Sequence, residues 1–330
     1  MTDFRLTPQR VRELTGTDLG YTPAVPPTTT PPNPWAALDP IPDDDPILKQ
    51  TVDLLERFGG VIFTGPPGTS KSWYAARIAV YLTDGGDRNR MRVLQFHPSY
   101  QYEDFVEGFV PTAEGFEQRD KHLLLIAERA RTHPAEKHVI LIDELSRGEP
   151  GRIFGEALTY VEKSKRDFPF LLSSGQEVSL PKNLIFLATM NPLDRGVDEV
   201  DAAFERRFAK IALDPNDGIL ATFLSGSGMD PQLAERVIEF FREVNRRALV
   251  DNPLAALGHT FFIGVTDEID LQALWDHQLR FLFDKAFRLD PDGLEEVRRH
   301  WDRVLQPPPA APPTPPAPLP APAPAPAAET

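Results

Sequence analysis

The chain has 330 residues, 41% hydrophobic and 25% charged, with a formal net charge of −14 and no cysteine. That length buries a sizeable core, lack of cysteine excludes disulfides and thiolate-held metals, and the acid excess argues against broad nonspecific nucleic-acid binding by this chain alone. No apolar run approaches a membrane span and Met1-Thr2-Asp3-Phe4-Arg5 has no signal-peptide core, so a cytoplasmic protein without membrane contact is expected.

The first 46 residues read as a weak segment: a short possible helix from Pro8 to Leu14, then a proline-rich stretch over 22–46 that reads as an extended linker. The first strong element is the apolar run Val61–Thr64, which breaks into Gly65-Pro66-Pro67-Gly68-Thr69-Ser70-Lys71-Ser72 and reopens as a helix from Trp73 to Leu82. A triphosphate needs converging backbone N–H groups, a helix N-terminus, an ammonium and a hydroxyl for Mg²⁺. Gly65 and Gly68 allow the tight turn, Lys71 supplies the charge and Ser72 the hydroxyl. The spacing is that of a P-loop except that Ser70 stands where the last glycine is expected.

Further apolar runs follow at Arg92–Phe96, His138–Ile142, Leu184–Thr189 and Phe208–Leu213. Continuous rather than alternating runs suit strands buried on both faces of a parallel sheet, with helical crossovers between them. After the second run, His97 precedes Pro98 and an aromatic cluster and reads as a loop-ordering residue, since no second ligand lies at metal-site spacing. The third run ends in Asp143-Glu144, two acids at the sheet edge where doubly wound folds bind ligands. Asp143 is expected to hold Mg²⁺ and Glu144 to activate the attacking water. Lys163, Lys165 and Arg166 read as a solvated helix end, and Phe170–Leu180 as a hairpin around Ser174-Gly175.

The fourth run leads to Asn191, whose amide could sense the γ-phosphate or end the strand as an Asn-Pro turn. Before the fifth run stand Arg206 and Arg207 on a short helix. One is expected to complete a neighbouring subunit's site in trans; the plainer alternative is an ion pair to Glu205 or Asp201. Beyond Pro215, Leu233–Leu249, Ile269–Arg288 and Leu294–Leu305 carry helical periodicity, and from Pro307 the chain is nearly all proline and alanine.

Gly65–Ser72, Asp143-Glu144, Asn191 and Arg206-Arg207, in that order, resemble an AAA+ ATPase core. The McrB-like branch of dynein-related domains is suggested by Gln95-Phe96-His97-Pro98-Ser99-Tyr100, Tyr102-Glu103-Asp104-Phe105-Val106-Glu107-Gly108, Ile142–Arg147 and Leu257-Gly258-His259-Thr260-Phe261-Phe262. The resemblance implies a doubly wound parallel five-stranded α/β P-loop domain over 47–214, an all-helical lid over 215–305, and flanking segments 1–46 and 306–330. It implies a ring, a hexamer, that hydrolyses ATP or GTP with Mg²⁺ between subunits. The motor would drive a separate McrC-like nuclease, meeting DNA indirectly or through the ring. The chain departs from the branch at Met190-Asn191-Pro192-Leu193-Asp194-Arg195-Gly196, the segment tied to GTP preference, so ATP and GTP both stay open. A MoxR-like chaperone ATPase and a nucleotide-binding scaffold with little turnover are the alternatives.

Overall fold

The structure, a computed structural model, describes residues 33–306 apart from 114, 193–201 and 251. The Pro8–Leu14 helix, Asp194, Arg195, Asp201 and the tail from Pro307 lie outside the described residues.

Helix α1 (Pro46–Leu55) is started by Asp45, whose carboxylate accepts from the N–H groups of Ile47 and Leu48, with Pro46 pre-set at the first helical position. Strand β1 (Gly60–Thr64) leads into α2 (Lys71–Leu82), then β2 (Met91–Gln95), α3 (His122–Thr132), β3 (His138–Asp143), β4 (Leu184–Met190) and β5 (Ala209–Ala212). These strands form one parallel sheet in the order β2-β3-β4-β1-β5. All five expected runs are strands, each within two residues of its expected bounds. The central strand β4 is buried at every position, as a strand covered on both faces must be. Successive residues of β1 divide between the two cores: Ile62 packs with Phe96, Phe154 and Phe186 on one face, while Val61 and Phe63 pack with Ile78 of α2 on the other.

The remaining chain is helical: α4 (Asp217–Gly226), α5 (Pro231–Val250), α6 (Glu268–Leu274), α7 (Arg280–Ala286) and α8 (Pro291–Leu305). The stretch expected as one helix over Ile269–Arg288 is interrupted by a π turn, Trp275–Leu279, between α6 and α7. Trp275 at this turn stacks on Trp301 of α8, ring centroids 4.9 Å apart, and Phe240 of α5 meets Trp301 edge-on at 5.0 Å. These large rings build a separate hydrophobic cluster.

Three sequence expectations are corrected. Proline-rich residues from Asn33 onward are not a free linker: Pro34–Ala37 form a 3-10 turn, Asn33 donates to the Gly86 carbonyl at 2.7 Å, and Ile41 is buried against the sheet. Arg166 is no part of a solvated helix end. It is buried, and its guanidinium donates to the carbonyls of Val161, Pro181, Leu184 and Gly59 over 2.9–3.2 Å. Four backbone carbonyls from separate parts of the chain point inward here, and a rigid five-donor fork satisfies them together.

The third correction is an element that periodicity missed, a hairpin pairing Glu107–Thr112 with Gly115–Asp120. Its second strand is exposed throughout, so no apolar alternation marks it. Buried Glu107 accepts from Tyr102 Oη, Gln118 Nε2 and Ser174 Oγ, tying this hairpin to the Ser-Gly hairpin of Phe170–Leu171 with Glu177–Val178. Burial, with the Glu107 charge as a lesser cause, pushes the Tyr102 phenol well above its ordinary value.

Candidate nucleotide site

The sheet register brings the chemistry-bearing residues to one edge. Thr64 pairs with Met190, so the loop Gly65–Ser72 and Asn191 leave the sheet at the same level. Ile142 pairs with Ala188, which puts Asp143 beside Thr189.

Ser72 Oγ donates to Asp143 Oδ1 at 2.9 Å. Thr189 Oγ also donates to Asp143 Oδ1, at 2.5 Å, and accepts the Glu144 N–H at 3.1 Å. Thr189, on β4, therefore fixes the turn that delivers both acids of β3. The sequence offered only an apolar strand at that position, and nothing in a single threonine marked it. Glu144 turns left-handed at φ 55, which aims its carboxylate away from the strand direction; Arg147 Nε meets that carboxylate at 3.1 Å.

Within the phosphate loop, Lys71 Nζ donates to the Pro66 carbonyl at 2.7 Å and Thr69 Oγ to the same carbonyl at 2.9 Å. The Thr260 N–H donates to the Gly68 carbonyl at 3.0 Å. A Cβ added to Gly258 would lie 2.1 Å from the Gly68 carbonyl carbon, so only glycine permits this backbone contact. The helical region thus rests directly on the loop.

Between them lies a cavity of about 650 Å³. Its lining includes the polar Lys71, Ser72 and Glu144 and the apolar Trp73, Phe223 and Ile263. Arg77 stacks on the Trp73 ring at 4.1 Å. The oxygen pair Ser72–Asp143 is the hard-donor chemistry that Mg²⁺ takes, and the residues present fit that ion.

Asn191, Arg206 and Arg207 do not line this cavity. Asn191 is partly exposed one residue past β4. Arg206 is exposed and Arg207 buried, 7% accessible, just before the edge strand β5. Glu205, the acid just before them, pairs with Lys210 at 2.6 Å, and Asp201, the other acid expected to pair with them, lies outside the described residues.

The AAA domain of the dynein-related subfamily matches residues 60–208. The chain is also 30% identical over 232 residues to the type IV methyl-directed restriction enzyme EcoKMcrB subunit of Escherichia coli K12, covering 66% of this chain and 50% of that protein. It spans about half the length of this curated relative. Among solved structures, a Cytophaga hutchinsonii chain provisionally described as an ATPase matches at 16% identity and TM-score 0.35, covering 76% of this chain and 66% of that one. Residues 60–208 are thus an AAA domain of the dynein-related subfamily, and the chain is similar in sequence to the McrB subunit. No helix among the described residues is long and apolar enough to cross a membrane.

Proposed function

We propose that the chain is a cytoplasmic, ring-forming, Mg²⁺-dependent NTPase that uses ATP or GTP hydrolysis to drive a partner, as the motor subunit of a McrBC-like restriction system. Residues 47–214 would be the nucleotide-binding unit and 215–305 its lid, with 1–46 and 306–330 as flanking segments. The observation that carries this reading is that one cavity is lined at once by the loop residues Pro67–Ser72, by Glu144 and by the apolar side chains Trp73, Phe223 and Ile263, with Ser72 bonded to Asp143.

In this reading the base lies against Trp73, Phe223 and Ile263, and the triphosphate lies along Gly65–Ser72. Lys71 leaves the Pro66 carbonyl for the phosphate oxygens, a charge-assisted exchange that favours the bound state. Ser72 and Asp143 would hold Mg²⁺, which would neutralise charge on the terminal phosphates. Glu144 accepts a proton from the attacking water and Asn191 orients it. Arg206 of a neighbouring copy, exposed at the sheet edge, meets the charge that develops on the transferred phosphoryl group. Head-to-tail contacts of this kind close into rings. A McrC-like nuclease is the effector, and DNA meets the assembly through it or through the ring. The name of the relative supports a restriction role, and the intact Asp143-Glu144 pair speaks against a silent scaffold.

The test is Glu144→Gln. Binding of Mg-ATP or Mg-GTP is expected to persist while turnover falls by about 100-fold or more, the size of a lost general base. Undiminished turnover would remove Glu144 from the mechanism.

A further inference from the structure

Ser70 occupies the P-loop position where glycine is expected, and its backbone is left-handed, φ 66 and ψ 18. An L side chain there is strained by the clash of its Cβ with the backbone, a strain that glycine avoids. Ser70 Oγ lies 2.8 Å from His259 Nε2, 189 positions away in sequence. The other ring nitrogen is committed, since His259 Nδ1 accepts the Asn216 N–H at 3.3 Å. Nδ1 is therefore the bare nitrogen, Nε2 carries the proton, and the imidazole donates to the serine hydroxyl. His259 is 1% accessible, so water cannot replace that bond. The residues on either side of it, Gly258 and Thr260, make the backbone contact with Gly68 described above.

We propose that His259 is a positioning residue for the phosphate loop: through Nε2–H it holds Ser70 in the left-handed turn that glycine would adopt unaided, and so couples the helical region to the loop that presents Lys71 and Ser72. The inference rests on the nucleotide reading for its consequence, and on the Ser70–His259 contact for its mechanism. A glycine loop needs no such support. The serine therefore makes the shape of the phosphate cradle depend on where the helical region sits.

A double-mutant cycle on the full chain tests this, read by affinity for fluorescent mant-ATP and mant-GTP. His259→Ala is expected to weaken binding about tenfold in the unaltered loop but less than twofold when combined with Ser70→Gly. His259→Gln, which keeps a donor, should recover most of the loss. Ser70→Ala, which keeps the strained backbone and loses the hydroxyl, should weaken binding relative to Ser70→Gly even if His259→Ala fails to fold. An equal His259→Ala penalty in both loops, or equal binding by Ser70→Ala and Ser70→Gly, overturns the proposal. Thermal unfolding of the nucleotide-free variants gives a second reading. Non-additive Ser70→Ala and His259→Ala costs support the link and additive costs overturn it. Absence of mant-nucleotide binding by the unaltered chain would instead overturn the nucleotide reading, with the unfolding cycle still deciding the link.

Discussion

Ser70 and Glu144 are both left-handed without being glycine, φ 66 and 55, and both stand at the candidate site. Strain of this sort persists only where neighbours over-determine it. The neighbours are identifiable: His259 for Ser70, and the Thr189 hydroxyl holding the Glu144 N–H. Burial holds the His259 imidazole below its ordinary value of 6.5. The folded chain thus keeps His259 neutral while the unfolded chain takes up a proton near that value. Stability is then full above about pH 6.5 and declines as pH falls from there through the lowered folded value. Burial lowers His122, His138 and His300 as well, so the informative quantity is a difference between chains. Between pH 7 and 5, the unaltered chain should lose more thermal stability than His259→Gln. Parallel pH profiles for the two would contradict a buried neutral His259. The sequence displayed Ser70 as an anomaly and His259 as part of a motif. It could not join them, because a contact across 189 residues leaves no local pattern.

At the level of elements, the strands were legible because burial on both faces demands continuous apolar runs, as Leu184–Met190 shows. The exposed hairpin ending at Asp120 was not, because its strands bury too little to alternate. The π turn at Trp275–Leu279 was hidden inside an unbroken helical periodicity. Arg166 is hidden for a related reason: charge suggests solvent, whereas the carbonyls of Gly59, Val161, Pro181 and Leu184 supply buried partners. Desolvation lowers its guanidinium to about 9, with Asp167 opposing the shift weakly, so it stays protonated near neutrality. Arg166→Met should cost about 3 kcal/mol or more in chemical denaturation, since it strands several buried acceptors. Arg166→Lys should recover only part, because an ammonium cannot reproduce the fork. A loss under about 1 kcal/mol for Arg166→Met would show that the carbonyls find other donors.

For the whole molecule, the sequence motifs alone put the P-loop, the two acids and Asn191 on one sheet edge, and the strand register brings them to that edge. What they left open was which arginine could act outside its own subunit. Arg206 is exposed beside the edge strand and Arg207 is buried, so the proposed trans role is assigned to Arg206. The most direct measurement of the shared-site account is phosphate release, with Mg-ATP and Mg-GTP, by Lys71→Ala and Arg206→Ala chains alone and mixed in equal amounts. Each alone should be inactive, one lacking the phosphate ligand and the other the trans charge. In the mixture, sites pairing an intact loop with an intact neighbouring arginine should restore about a quarter of the unaltered rate if sites act independently. Full activity of either variant alone, or no recovery in mixed assemblies, would contradict the account.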